Sequence, residues 1–193
     1  MKLVLIIAAL LQMTQENKDI NYAYFGGGCF WCIEAIFENL NGVEGVLSGY
    51  AGGDSKTANY KDVSSGKTKH AEICQIKYNP SIISFDILLK VFFLAHDPTT
   101  LNRQGNDIGP HYRSIVFYQN KKEKGQTENY INQLELDNTY KDIKTEVVEF
   151  KTFYVAENYH QNYFVTNRNQ PYCSLIINPK IQKLRKDLNK YYK

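Results

Sequence analysis

The stretch Gly26-Gly27-Gly28-Cys29-Phe30-Trp31-Cys32-Ile33-Glu34 places a thiol where a strand hands over to a helix. Tyr22, Ala23, Tyr24 and Phe25 before it read as a short aromatic strand. After it Ile33, Ile36, Phe37 and Leu40 recur at helical spacing, with Glu34, Glu38 and Asn39 assigned to the opposite face. Glycine tolerates positive φ and lets a ligand approach the backbone, while the free N–H groups and dipole of a helix start favour a thiolate. The expectation is a reactive Cys29 with a lowered pKa. Phe30 and Trp31, set beside it, can wall a small apolar pocket.

Other chemistry fits the same residues. Cys29 and Cys32 could be two buried small hydrophobes. The cysteines at 29, 32, 74 and 173 give one CxxC and no second paired motif, and no His-x-x-x-His follows, which argues against a structural zinc site. A thioredoxin-like dithiol fits both the spacing and the strand-to-helix placement. From the local pattern alone these readings stay open.

The elements that must position such a site are mixed helices and strands. A length of 193 residues suits one domain, and 43% hydrophobic residues are ample for a core. The net charge of +3 comes from 23 basic and 20 acidic residues spread along the chain, and the 15 tyrosines do not interleave with arginine, so nucleic-acid binding has no support. Lys2 followed by the apolar run Leu3 to Leu11 has the layout of a short export signal, too short to span a bilayer. Residues 1–19 are therefore expected to be a signal peptide or disordered leader and 20–193 a single catalytic domain. Export or a periplasmic location follows if that leader is a signal; the alternative is a cytoplasmic protein with a frayed first helix.

Strands are expected at Val43–Tyr50, Ala71–Tyr78, Ser114–Tyr118 and Glu146–Phe150. Helices are expected after Ser84, over Lys121–Leu136, and after Pro179. Between them lie long loops: Gly49 to Gly53, Asn59-Tyr60, Gly66 to Glu72 and Pro98 to Arg113. Loops of this length in a small domain are usually functional. They carry Glu72, Asp107 and Tyr112, which spacing alone leaves as solvated or turn-forming residues.

Taken in order, Gly27-Gly28-Cys29-Phe30-Trp31, Gly49-Tyr50-Ala51-Gly52-Gly53, His70-Ala71-Glu72, the run His96 to Asp107, Tyr112-Arg113-Ser114 and His160-Gln161-Asn162-Tyr163 resemble a peptide methionine sulfoxide reductase of the A class. The matches run from about Tyr22 to Lys180. Lys69 stands where such proteins commonly have glycine and His111 where glutamine is usual, which leaves peptide preference and pH profile open. His70 and His160 are read as loop-orienting residues.

The resemblance implies Cys29 as nucleophile, Phe30 and Trp31 as the S-methyl pocket, and Glu72, Tyr60, Tyr112 and Asp107 around the sulfoxide oxygen. A sulfoxide sulfur is a poor electrophile until its oxygen accepts a hydrogen bond or a proton, so Tyr hydroxyls and a protonated Glu suit the task. Glu72 is accordingly expected to have a raised pKa. The implied product is a Cys29 sulfenic acid, resolved by a disulfide with Cys173 and recycled by thioredoxin or another dithiol. Cys32 is the rival resolver, read as structural because one helical turn beyond Cys29 its side chain is expected to face the core. Cys74 is assigned no role. No metal or organic cofactor is implied. The partners expected are oxidised proteins or peptides, free methionine sulfoxide and the reductant, with no nucleic acid, no stable membrane association and a monomeric chain. The fold implied is α/β in the broad sense (α+β): a two-layer mixed sheet with packed helices in a ferredoxin-like arrangement. The patterns by themselves establish only mixed helices and strands.

Overall fold

Four strands form the centre of one sheet: β1 (Asn21–Gly26), β2 (Val43–Ala51), β3 (Ala71–Tyr78) and, after three further short elements, β6 (Ile115–Tyr118). Between them run helix α1 (Phe30–Phe37), the short helix α2 (Tyr60–Ser64), helix α3 (Phe85–Ala95) and a two-stranded hairpin of β4 (Arg103–Gln104) and β5 (Asp107–Ile108). The computed structural model describes residues 19–193, and the leader expected over residues 1–19 lies outside them apart from Asp19. Beyond β6 come α4 (Lys121–Leu136), β7 (Glu146–Glu149), β8 (Phe153–Val155), α5 (Tyr163–Thr166) and α6 (Asn178–Asp187).

The sheet order is β7-β6-β1-β3-β2-β8, with only the β6–β7 pair parallel. Its inner part, β6-β1-β3-β2, is drawn from a β1-α1-β2-β3-α3-β6 run, the ferredoxin-like arrangement. The two edge strands widen it to six.

Strand alternation decides what each face meets. Phe25, Cys74 and Ile76 point to the side packed by Ile33, Ile36 and Phe37 of α1 and Leu88, Val91 and Phe92 of α3. Each fully buried aromatic or branched side chain there contributes about 1.5–3 kcal/mol of transfer free energy. The other face, with Tyr24, Ile73, Ile115 and Phe117, is covered by Phe150 and Phe153, and the Tyr24 and Phe150 rings stack at 3.9 Å.

The side-chain caps follow the sequence. Ser84 accepts from the N–H of Ile87 at 3.3 Å, and Asn120 from that of Glu123 at 3.0 Å. Two expectations need correction, at Tyr60 and at the last helix, and one strand was not anticipated. Tyr60 opens a short helix capped by Asn59, the segment Phe153–Val155 is an edge strand, and the last helix begins one residue before Pro179, continuing a π-helical turn over Cys173–Ile177. Glu34 does not lie on a polar face: α1 is covered on both sides and Glu34 is 1% exposed. Among the described residues no helix is long and apolar enough to cross a membrane.

Candidate active site

Cys29 is the residue just before α1, reached from β1 through the glycine turn. Gly28 has φ +92°, and a Cβ there would lie 2.6 Å from Cγ of Gln104. Gln104 cannot swing aside freely, because its amide both donates to the Asp97 carbonyl and accepts from the Asp97 N–H. Only glycine fits this turn.

The expected lowering of the Cys29 pKa is overturned. Burial pushes the thiol well above its ordinary value, and the hydrogen bond to Cys32 and the charge of Glu72 add to the rise, against which the N–H of Trp31 pulls weakly. A helix start is worth about 0.3–1 kcal/mol at an exposed site, and desolvation of a buried thiolate outweighs it.

Glu72 comes from β3, paired with Tyr50 of β2, and is 2% exposed. Its Oε2 accepts the N–H of Phe30 at 3.1 Å. Burial above all, then the charges of Asp107 and Cys32, hold the carboxyl at about 8 despite that hydrogen bond. The raised pKa expected from the sequence is thus present. Tyr60 arrives at the start of α2 and Tyr112 in a 3-10 turn over Pro110–Tyr112. Both phenols are raised by burial first and then by the charges of Glu72 and Cys29, so they remain protonated donors. Asp107 on β5 accepts a hydrogen bond from the Tyr172 hydroxyl at 2.8 Å.

An apolar wall stands beside the thiol. Phe30 is 1% exposed, with its ring 4.9 Å from His160 and 5.9 Å from Tyr50. Trp31 is sandwiched against Tyr163, the rings 3.5 Å apart and 5° from parallel, with Tyr172 edge-on at 6.1 Å.

The other thiols sort by surroundings. The backbone N–H of Cys32 donates to the Cys29 carbonyl at 3.0 Å, and the Cys32 Sγ lies 3.6 Å from the Tyr172 hydroxyl. The neighbouring Cys29 thiol draws Cys32 down to about 7, with Lys180 and Tyr172 assisting against burial. Cys32 is buried as expected, yet it also lies beside Cys29. Cys173 is fully buried in the π-helical turn, its thiol raised by burial first and then by the charge of Cys32. Cys74 donates to the carbonyl of Phe30 at 3.4 Å from a fully buried position. None of the four cysteines is joined in a disulfide in this structure.

Thus Cys29, Phe30, Glu72, Tyr60 and Tyr112 converge, Trp31 and Asp107 border them, and Cys173 sits in the C-terminal segment beside Tyr172. Three residues escaped the sequence reading. Tyr172 links Cys32 to Asp107, and only its place before Cys173 hinted at it. Glu157 accepts from the Tyr60 N–H and from the Tyr50 hydroxyl, both at 2.9 Å. Glu34 is a carboxyl among apolar neighbours, a signal that was there to be read. His111 is buried against Tyr112, and burial lowers its pKa. His70 bonds the Asp54 carbonyl at 2.9 Å, a loop-orienting role.

The comparisons with known proteins bear on this geometry. The family model described as peptide methionine sulfoxide reductase matches residues 21–192. The peptide methionine sulfoxide reductase MsrA of Acinetobacter baumannii is 51% identical over 162 residues, 84% of this chain and 92% of that protein. The reduced form of Mxr1 from Saccharomyces cerevisiae superposes with a TM-score of 0.76 at 32% identity, covering 82% of this chain and 91% of that one. Mxr1 has also been solved in complex with Trx2; that structure, at 23% identity and a TM-score of 0.54, covers 76% of this chain and 88% of that one and shares the fold.

Proposed function

The chain belongs to the peptide methionine sulfoxide reductase family, A class, and is an oxidoreductase; from that premise we propose that it reduces methionine-S-sulfoxide, free or in proteins, through a sulfenic acid on Cys29. The observation that carries the reading is the convergence of a buried thiol with a carboxyl held at about 8 and two protonated phenols.

The sulfoxide oxygen accepts from Glu72, Tyr60 and Tyr112, which draws electron density off sulfur and makes it electrophilic. Phe30 and Trp31 receive the S-methyl group. Cys29 then supplies the electron pair: the substrate's S–O bond breaks, an S–O bond forms on Cys29, and the thiol proton ends on that oxygen. Methionine leaves and Cys29 becomes a sulfenic acid. Asp107 orients the acidic side of the site through Tyr172 and its charge on Glu72.

Clearance requires a second thiol. Cys173 attacks the sulfenic acid, water leaves, and the Cys29–Cys173 disulfide is reduced by thioredoxin or a similar dithiol. The π-helical turn around Cys173 supports this, since such turns recur where a helix serves a functional site. A second reading, Cys32 as the resolver, is favoured by its place at the start of the same helix, its N–H on the Cys29 carbonyl at 3.0 Å and its thiol lowered by the Cys29 thiol. Neither route calls on a metal or an organic cofactor.

The test is reduction of a racemic methionine sulfoxide peptide by the reduced protein, with epimers resolved. Consumption of the S epimer alone, abolished in Cys29→Ser, is expected; no consumption by the wild type overturns the proposal. With thioredoxin supplied, arrest of Cys173→Ser after one turnover assigns resolution to Cys173, whereas arrest of Cys32→Ser alone assigns it to Cys32.

A further inference from the structure

Glu34 is the one acidic residue within α1, and its carboxyl is sealed between that helix and the C-terminal segment. Both oxygens are used on one target. Oε1 accepts the N–H of Asn162 at 3.0 Å and Oε2 the N–H of Tyr163 at 3.2 Å. Asn162 holds φ +52°, a left-handed conformation that costs a non-glycine residue free energy and persists only where its neighbours hold it. Tyr163, the next residue, is the one whose ring lies flat on Trp31. Glu34 and Trp31 sit three residues apart on the same helix, so α1 grips the returning chain with one side chain and receives its ring on another.

We propose that Glu34 is a positioning residue for the substrate pocket: by holding the backbone of Asn162 and Tyr163 it presses the Tyr163 ring onto Trp31 and fixes the wall that receives the S-methyl group. The proposal rests on the assignment of Phe30 and Trp31 to that pocket. Its energetic basis is the cost of the alternative. Without Glu34, two backbone N–H groups lose their carboxyl acceptor and a left-handed residue loses its support. The segment then relaxes and Trp31 loses its stacked cover. Cys29, Glu72 and the phenols keep their own contacts, so the loss falls on substrate binding rather than on the chemical step.

Trp31 is the sole tryptophan of the chain, so its emission reports the stack without any label. Three variants are compared in the full-length protein: Glu34→Ala, Glu34→Gln and Tyr163→Leu. Tyr163→Leu leaves Glu34 and its acceptor role in place and so guards against misfolding of the charge variant. In Glu34→Ala and Tyr163→Leu, emission should shift to the red, and KM for a methionine sulfoxide peptide should rise about tenfold while kcat changes by less than about twofold. Glu34→Gln, which keeps one accepting oxygen, should fall between wild type and Glu34→Ala. The double variant should be no worse than the worse single one, because both act through one contact. Unchanged emission in Glu34→Ala overturns the grip on Tyr163 and leaves the pocket assignment standing. A red shift with unchanged KM in both variants overturns the positioning role together with the assignment of Trp31 to the substrate.

Discussion

The backbone N–H of Phe30 donates to Oε2 of Glu72 at 3.1 Å, tying the helix that presents Cys29 to the strand that presents the acid. One carboxyl oxygen is thereby committed as an acceptor, and the proton of the neutral group is left to the other oxygen, where a substrate oxygen can take it.

Activity should therefore follow the proton on Glu72. Burial holds this carboxyl at about 8, so the donor form dominates at neutral pH and is lost as pH rises through that value. Single-turnover reduction by the wild type should decline above about pH 8, and Glu72→Gln should lose about a hundredfold in rate. The variant's residual activity should lack the alkaline decline. A decline of the same shape in Glu72→Gln would assign the titration to another group.

Stability should carry the same signature. Glu72 at about 8 and Glu34 at about 7 both lie above the ordinary carboxyl value of 4.5, burial being the first cause in each. A carboxyl that holds its proton more tightly when folded contributes stability below its unfolded pKa and loses it as pH rises through the folded one. Denaturant unfolding at about pH 5 and about pH 8.5 should show a larger loss for the wild type than for Glu72→Gln across that interval. Equal losses would remove Glu72 from the linkage.

Gly28→Ala should damage both fold and site. Its φ of +92° and the 2.6 Å approach to Gln104 leave no place for a methyl group. A left-handed residue costs about 1–2 kcal/mol, which lowers the thermal midpoint by roughly 2–8 °C in a chain of this size. Because Cys29 follows directly, the reduction rate should fall more than the stability loss explains. A normal rate with an unchanged midpoint would show that the turn adapts.

Glu157 should act through Tyr60. It accepts the Tyr60 N–H and the Tyr50 hydroxyl, joining the start of α2 to the sheet. Charged hydrogen bonds of this kind are worth about 1.5–3 kcal/mol, so Glu157→Ala should cut kcat/KM by about tenfold or more. Combined with Tyr60→Phe the losses should fall short of the product of the two, as a double-mutant cycle would read. Strict multiplicativity would separate Glu157 from the phenol.

Much of the fold was legible because local signals agreed with it. The alternation in Ala71–Tyr78, the Ser84 cap and the charged run Lys121–Leu136 each specify an element within a few residues of itself. The short helix at Tyr60 and the edge strand at Phe153 were missed because each is three to five residues long and draws its stability from neighbours: Glu157 holds the Tyr60 N–H, and β2 pairs with β8.

The sequence by itself picked out the candidates for the chemistry: Cys29 behind three glycines, Phe30 and Trp31 beside it, and the ordered motifs containing Glu72, Asp107 and Tyr112. Only the tertiary structure decided their electrostatic state. The helix start promised a thiolate at Cys29, and burial beside Glu72 reversed that sign. Tertiary packing likewise turned Glu34 from an assumed polar face into a buried anchor for Tyr163, and brought Cys32 against both Cys29 and Tyr172. The physical reason is range. Backbone preferences are set by adjacent residues, whereas desolvation and charge depend on what the far chain brings close, here the segment from Glu157 to Cys173.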